Sequence, residues 1–84
     1  MKVCYITFRS VTFAQRADAA VRRAGIHCAL QRTPRWMEER GCGYCLKLRQ
    51  EEVWPVVLLL QENEIPYRKI YAQQEDGTLE EMVL

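Results

Sequence analysis

The segment Thr33–Cys45 divides this chain of 84 residues into two halves, and each half has the pattern strand, helix, strand. In the first half, Lys2–Phe8 is rich in β-branched and aromatic residues, which is typical of a strand. A helix is predicted next, because Ser10 offers an N-cap hydroxyl and Gly25 stands where a left-handed C-terminal residue is expected. Ile26–Arg32 is predicted to form a second strand, since alternate side chains are apolar.

The second half begins inside the dividing segment. Tyr44–Arg49 alternates cleanly, so its apolar side chains should face a core while Cys45, Lys47 and Arg49 point away from the helices. A helix is predicted over Gln50–Asn63, with a last strand over Tyr67–Ala72. The inner face of this helix should be Val53, Val56, Val57 and Leu60, widened by Trp54, Leu58 and Leu59. Trp54 is expected to pack in the core or at the helix edge.

Two such halves predict an α+β protein with the ferredoxin-like split βαβ arrangement, in the order βαββαβ. One antiparallel sheet would carry both helices on one face. The length allows one hydrophobic core, so residues 1–74 are predicted to form a single domain. Asp76-Gly77 is a turn signal, and residues 75–84 are predicted to be either an acidic C-terminal tail or a short edge strand.

Composition excludes several classes of partner. The net charge of +1 gives no general attraction to nucleic acid or anionic membranes. The longest apolar block, Val53–Leu60, is too short to span a bilayer. The N-terminus lacks the apolar region of a signal peptide, so a cytoplasmic location is expected. In that compartment a close cysteine pair is more often catalytic, metal-binding or redox-active than a structural disulfide.

The dividing segment concentrates reactive chemistry. Cys42 and Cys45 are separated by two residues, and Gly41 and Gly43 flank Cys42 and remove side-chain bulk around it. Cations in or beside the segment favour a thiolate; they are Arg35, Arg40, Lys47 and Arg49. The pair is therefore a candidate nucleophile with a resolving thiol.

Two other interpretations of the pair are weaker. In thioredoxin-like oxidoreductases the Cys-x-x-Cys motif opens a helix, whereas here it runs into a strand. For zinc, the pair is half of a tetrahedral site. His27 and Cys28 lie on opposite faces of their strand, so no metal site is predicted within one chain, although two chains could close one. Cys4 and Cys28 are expected to be small buried hydrophobes.

The motifs Thr33-Pro34-Arg35 and Cys42-Gly43, followed by Leu46, resemble the small family of selenium/sulfur carrier-like proteins. The resemblance covers roughly residues 2 to 72. It implies a cytoplasmic bacterial or archaeal protein that carries sulfur or selenium as a persulfide or selenosulfide. By motif match, Cys42 would be the carrier and Arg35 a neighbouring cation. Cys45 and Gly41 depart from the family pattern, which often has a non-thiol and a small polar residue at these positions.

The function expected on this basis is that of a carrier or accessory protein, not a stand-alone enzyme, with no cofactor. Its partners would be sulfur or selenium donor and acceptor proteins. The catalytic candidates are Cys42 and Cys45, and the candidates for substrate binding are Arg35, Arg40, Gly41 and Gly43.

The alternatives are a Cys-x-x-Cys redox protein, or a non-enzymatic module that forms a homodimer, clamps zinc or contacts RNA or protein. The binding-module alternative rests on an open sheet face predicted to carry Tyr67, Tyr71, Lys47, Arg49 and Lys69. Nucleic acid is the less favoured partner, because no aromatic RNA-recognition signature is present. Trp36 could anchor a partner protein or cover the helix ends.

Overall fold

The computed structural model of the protein describes residues 2–33 and 43–82. Its elements, in chain order, are β1 (Val3–Thr7), α1 (Val11–Arg23), β2 (Cys28–Arg32), β3 (Tyr44–Arg49), a 3-10 turn (Gln50–Glu52), α2 (Val53–Glu62), β4 (Ile70–Gln73) and β5 (Leu79–Met82). Within the two described ranges, neither helix is long and apolar enough to cross a membrane.

The five strands form one sheet in the order β2-β3-β1-β4-β5, and every neighbouring pair is antiparallel. The α+β class is therefore confirmed, but the predicted βαββαβ order is not matched, because a fifth strand follows β4. A tight turn returns the chain to the edge of β4. The Asp76 carboxylate accepts from the Thr78 backbone N–H at 3.0 Å, and Gly77 adopts a φ of 89°. At such a positive φ a residue with a Cβ is strained.

Helix α1 begins and ends where the sequence predicts. The Ser10 hydroxyl accepts a hydrogen bond from the Phe13 backbone N–H at 3.2 Å, which satisfies one of the unpaired donors of the first turn. Gly25 follows the helix at a φ of 80°. The buried face of α1 consists of small residues, namely Ala14, Ala17, Ala20 and Val21. Small side chains let the helix backbone lie close to the sheet.

Helix α2 buries the predicted inner face of Val53, Val56, Val57 and Leu60. Of the three residues predicted to widen this face, Leu59 packs against the core. The prediction was wrong for Trp54, which is 58% exposed, and for Leu58, which is 54% exposed. Both helices pack on the same side of the sheet into one core with Ile6, Leu46 and Ile70. In such a two-layer fold only one side of α2 meets the sheet and α1.

The last predicted strand starts later than expected. Residues 63–69 connect α2 to β4, and Arg68 donates its backbone N–H to the Thr7 carbonyl at 2.8 Å. Tyr67 packs against the helix-side core. The prediction that Tyr67 lies on the open side of the sheet was therefore wrong.

Candidate functional site

The sheet has two unlike sides, and the candidate site lies on the side opposite α1 and α2, which we call the open face. Alternate residues of β3 divide between the two sides: Leu46 and Leu48 belong to the helix-side core. Cys45 and Lys47 therefore point to the open face, as the alternation of the sequence predicts.

Strands β2 and β3 end side by side at the base of the dividing segment. We call this base, formed by Thr33, Gly43 and Cys45, the hairpin mouth. The Thr33 backbone N–H donates to the Gly43 carbonyl at 2.8 Å, and Gly43 adopts a φ of 82°. One residue further in, Arg32 is paired with Tyr44, and its guanidinium carbon lies 5.6 Å from the centre of the Tyr44 ring. This spacing is within the range of a cation–π contact, which fixes the two strand ends against each other.

The predicted site is divided by the limits of the described chain. Gly43 and Cys45 belong to the hairpin mouth. Residues 34–42 lie outside the described residues, and with them the candidates Arg35, Arg40, Gly41 and Cys42, as well as Trp36.

Cys45 is completely buried although it lies on the face opposite α1 and α2. Its register partners are Thr7 on β1 and Gln31 on β2. Thr7 and Thr33 are themselves only 7% and 8% exposed. The thiol of Cys45 is thus enclosed at the end of the sheet where residues 34–42 depart.

The Thr7 side chain holds the connection between α2 and β4 close to the hairpin mouth. Its hydroxyl accepts the Lys69 backbone N–H at 3.1 Å and lies 3.4 Å from the Lys69 carbonyl, to which it can donate. The Thr7 backbone N–H also donates to the Lys69 carbonyl at 2.9 Å. The connection between α2 and β4 is therefore held beside the strand position that opposes Cys45.

Lys47 and Arg49, the two cations of β3 predicted to favour a thiolate, lie at different distances from Cys45. Lys47 is half-buried on the open face, two residues along β3 from Cys45. Arg49 is four residues away, or about 14 Å along the strand, and a separation beyond about 8–10 Å is largely screened in physiological salt. The Arg49 guanidinium lies 3.5 Å from the Glu51 carboxylate. Arg49 is therefore too far along β3 to act on Cys45, and its role beside Cys42 stays a prediction because Cys42 lies outside the described residues.

The other described cysteines are held as neutral thiols. Burial raises the pKa of Cys4, whose Sγ lies 3.7 Å from the Met82 Sδ. Burial and the carboxylate of Asp18, which accepts from the Cys28 thiol at 3.4 Å, raise the pKa of Cys28 to about 11. Asp18 is itself paired with Arg22 at 2.9 Å. Cys4 is the buried hydrophobe predicted, whereas Cys28 is only half-buried and hydrogen-bonded.

No group of three or more His, Cys, Asp or Glu side chains able to hold a metal ion occurs among residues 2–33 and 43–82. His27 is exposed at the start of β2. Thr7 and Gln31, the register partners of Cys45, were not predicted as site residues. Only the strand register brings them together, and no local sequence signal indicates that register.

Comparison with known proteins gives one family. The family model described as "Putative Se/S carrier protein-like" matches residues 3–72, which includes both helices, β1 to β3 and most of β4. No curated protein and no solved structure matches the chain.

Proposed function

The chain belongs to the Se/S carrier protein-like family, and on this premise we propose that it carries sulfur or selenium on the thiol of Cys42, as a persulfide or a selenosulfide. The frame that presents this thiol is a ferredoxin-like split βαβ arrangement extended by the fifth strand. The partners are a donor protein with a persulfide or its selenium counterpart and an acceptor protein, in the reducing environment of the cytoplasm.

The observation that carries this proposal is the state of the other three cysteines. Cys4 and Cys45 have no exposed surface. Cys28 has a pKa of about 11, so only about one molecule in ten thousand would hold its thiolate at pH 7. Because the thiolate is the nucleophile, none of the three is suited to receive an atom from another protein. Cys42 remains, between Gly41 and Gly43 in the sequence.

The proposed transfer conserves atoms and electrons. The Cys42 thiolate attacks the outer sulfur of the donor's persulfide, the sulfur–sulfur bond of the donor breaks, and the donor's cysteine leaves as a thiolate. A new sulfur–sulfur bond now joins Cys42 to the outer atom. Release is the same reaction in reverse order: a nucleophile of the acceptor takes the outer atom and Cys42 leaves as a thiolate.

The remaining site residues have supporting roles in this proposal. Arg35 and Arg40 supply positive charge that lowers the pKa of the Cys42 thiol and improves it as a leaving group. Gly41 and Gly43 leave room for the donor's sulfur to approach. Gly43 also has a φ of 82°, which residues with a Cβ avoid, so the backbone gives a separate reason for glycine at this position.

Cys45 is proposed as the resolving thiol. Three residues from Cys42, it attacks the inner sulfur of the loaded persulfide, which forms a disulfide and releases the outer atom as hydrosulfide. Its burial at the hairpin mouth supports a slow, conditional reaction of this kind, because a buried thiol resists ionisation.

The test is loading by a cysteine desulfurase with cysteine as the sulfur source, followed by intact-mass spectrometry. We expect one additional sulfur atom per chain, removed by a thiol reductant. Cys42→Ser should abolish the gain. Cys28→Ser is the matched control, since Cys28 is the one incompletely buried cysteine among the described residues, and it should load like the unmodified chain. Cys45→Ser should load normally and keep its sulfur longer.

Two results would count against the proposal. If Cys42→Ser loads to the same level, the carrier is another residue. If the chain gains no sulfur but loses two hydrogen atoms under mild oxidation, in a manner that requires both Cys42 and Cys45, the protein is a dithiol redox protein.

A further inference from the structure

One row of side chains crosses the open face at the middle of the sheet. Strand pairing aligns Ala29, Lys47, Tyr5, Tyr71 and Glu81 in that order, one from each strand. We call these five residues the central row. Its two tyrosines are adjacent and half-buried, Lys47 lies beyond one of them, and Glu81 lies beyond the other.

We propose that the open face binds a second copy of this chain through the central row. Four residues of the row are self-complementary, namely Lys47, Tyr5, Tyr71 and Glu81. Their midpoint lies between the two tyrosines, and Lys47 and Glu81 are equally distant from it. A two-fold axis parallel to the strands would reverse the row of the second copy. Lys47 of each copy would then face Glu81 of the other, and Tyr5 would face Tyr71.

The tyrosines support a protein interface. Neither the Tyr5 nor the Tyr71 hydroxyl has a hydrogen-bond partner among the described residues, and both rings are left without a covering helix. Tyrosine is favoured at interfaces because it combines a large apolar ring with a polar end. Two facing pairs would bury four rings at the centre of the dimer.

The charges favour a second copy over nucleic acid. Arg49 is paired with Glu51 at 3.5 Å, and Lys69 lies 3.7 Å from Glu81. Lys47, by contrast, has no carboxylate at salt-bridge distance among the described residues. Binding of a phosphate backbone draws on several unpaired cations, whereas a reversed central row needs a single lysine and a single carboxylate from each copy.

The contact between Lys69 and Glu81 leaves Glu81 able to take a second cation. At 3.7 Å it is longer than the about 2.7–2.9 Å of a strong charge-assisted hydrogen bond. The Glu81 side chain is 48% exposed. A carboxylate has two oxygens, so one can meet Lys47 of the second copy.

The size of the face sets the strength of the dimer. Five strands spaced by about 4.8 Å and about five residues long give a footprint of roughly 400 Å² per copy. Specific interfaces bury about 800 Å² of accessible surface per partner, so this footprint is about half the standard size and belongs with weak, transient contacts. We expect a concentration-dependent dimer with a dissociation constant in the micromolar range.

The direction of the two-fold axis also determines where the two hairpin mouths lie in the dimer. Rotation about an axis parallel to the strands leaves the direction of the strands unchanged. Thr33 and Gly43 of both copies would therefore lie at the same end of the dimer. The dimer itself does not depend on sulfur transfer, and Cys42→Ser should dimerise like the unmodified chain.

The experiment is sedimentation velocity on the full chain over a concentration series, with charge-reversal variants. Lys47→Glu and Glu81→Lys alone should each weaken the dimer at least about tenfold, because each creates two like-charge contacts per dimer. An equimolar mixture of the two variants should form a heterodimer, since every facing pair then has opposite charges. Glu80→Lys, the same change on the other side of β5, is the matched control and should have no effect.

Circular dichroism checks that each variant is folded. If a reversal unfolds the chain, the milder Lys47→Gln and Glu81→Gln variants replace it, with about a threefold weakening expected. A monomer at every concentration up to about 500 µM would overturn the proposal, since a micromolar constant requires dimer there. A dimer unaffected by both reversals would also overturn it. So would salt-sensitive binding of single-stranded RNA by a monomer, abolished by Tyr71→Ala.

Discussion

Replacing Thr7 by valine tests whether the Thr7 hydroxyl holds the connection between α2 and β4 in place. Valine has nearly the same shape, so the change removes the hydroxyl without opening a cavity. The Lys69 backbone N–H then loses the acceptor that it reaches at 3.1 Å, and the Lys69 carbonyl loses the hydroxyl at 3.4 Å. The backbone pair from the Thr7 N–H to the Lys69 carbonyl stays.

The size of the effect follows from burial. Leaving a buried donor without its acceptor costs about 1–3 kcal/mol. Thr7 is 7% exposed, but the Lys69 side chain is 29% exposed, so water reaches part of the region. We therefore expect a loss of about 1–2 kcal/mol in the free energy of unfolding, the lower half of that range.

Urea unfolding followed by circular dichroism measures this loss. With a slope near 1 kcal/mol per molar urea for a chain of this size, the midpoint should fall by about 1–2 M. Thr12→Val is the control, because Thr12 is exposed on α1 and threonine and valine have similar helix propensities. An unchanged midpoint for Thr7→Val, or an equal fall for Thr12→Val, would refute the reasoning.

Three further predictions concern single residues. Gly43→Ala should lower the free energy of unfolding by about 1–2 kcal/mol, because φ is 82° there, and should also slow sulfur loading. Gly77→Ala, at a φ of 89°, should lose the same stability but load normally. Equal loading rates in the two variants would contradict the role of Gly43. Folding raises the pKa of Cys28 from 9.0 to about 11, so the neutral thiol adds stability below pH 9 that is lost as the pH rises through about 11. After allowance for solvent screening, this stabilisation is about 1 kcal/mol. The urea midpoint of the unmodified chain should therefore fall more steeply at alkaline pH than that of Cys28→Ala, and parallel declines would contradict the prediction. Ser10→Ala should cost about 1 kcal/mol by removing the cap of α1, in thermal or urea melts, and a stability equal to the unmodified chain would show that the cap contributes nothing.

The local patterns of the sequence predicted most of the frame. Alternation placed β3 over Tyr44–Arg49, and helical spacing identified the buried side of α2. The cap of α1 at Ser10 was also predictable, because a hydroxyl before an amphipathic segment has one favourable geometry. These signals depend only on residues close together in the chain.

Features that depend on distant residues were not predictable. No local sequence pattern shows that the Thr7 hydroxyl accepts a hydrogen bond from the Lys69 backbone N–H. This contact accompanies the start of β4 at Ile70 instead of Tyr67. The outer side of α2 is nearly as apolar as its inner side, so periodicity did not reveal that Trp54 stays exposed.

The candidate site was predicted in part. The alternation of β3 placed Cys45 on the face away from the helices, as observed. Its complete burial was not predicted, because alternation indicates which face a side chain points to and not how much of that side chain is covered. The roles of Cys42, Arg35 and Arg40 remain predictions, since residues 34–42 lie outside the described chain.

The most direct test of the account is to locate the carried atom in the protein as isolated. Free thiols and persulfides are alkylated, and the chain is cut with trypsin. Cleavage after Lys and Arg separates the cysteines into three peptides, residues 3–9 with Cys4, residues 24–32 with Cys28, and residues 41–47 with Cys42 and Cys45. We predict an extra sulfur or selenium atom on the 41–47 peptide alone, assigned to Cys42 by fragmentation and absent after reduction. An extra atom on the peptide of Cys4 or Cys28, or on Cys45 with Cys42 unmodified, would contradict the account.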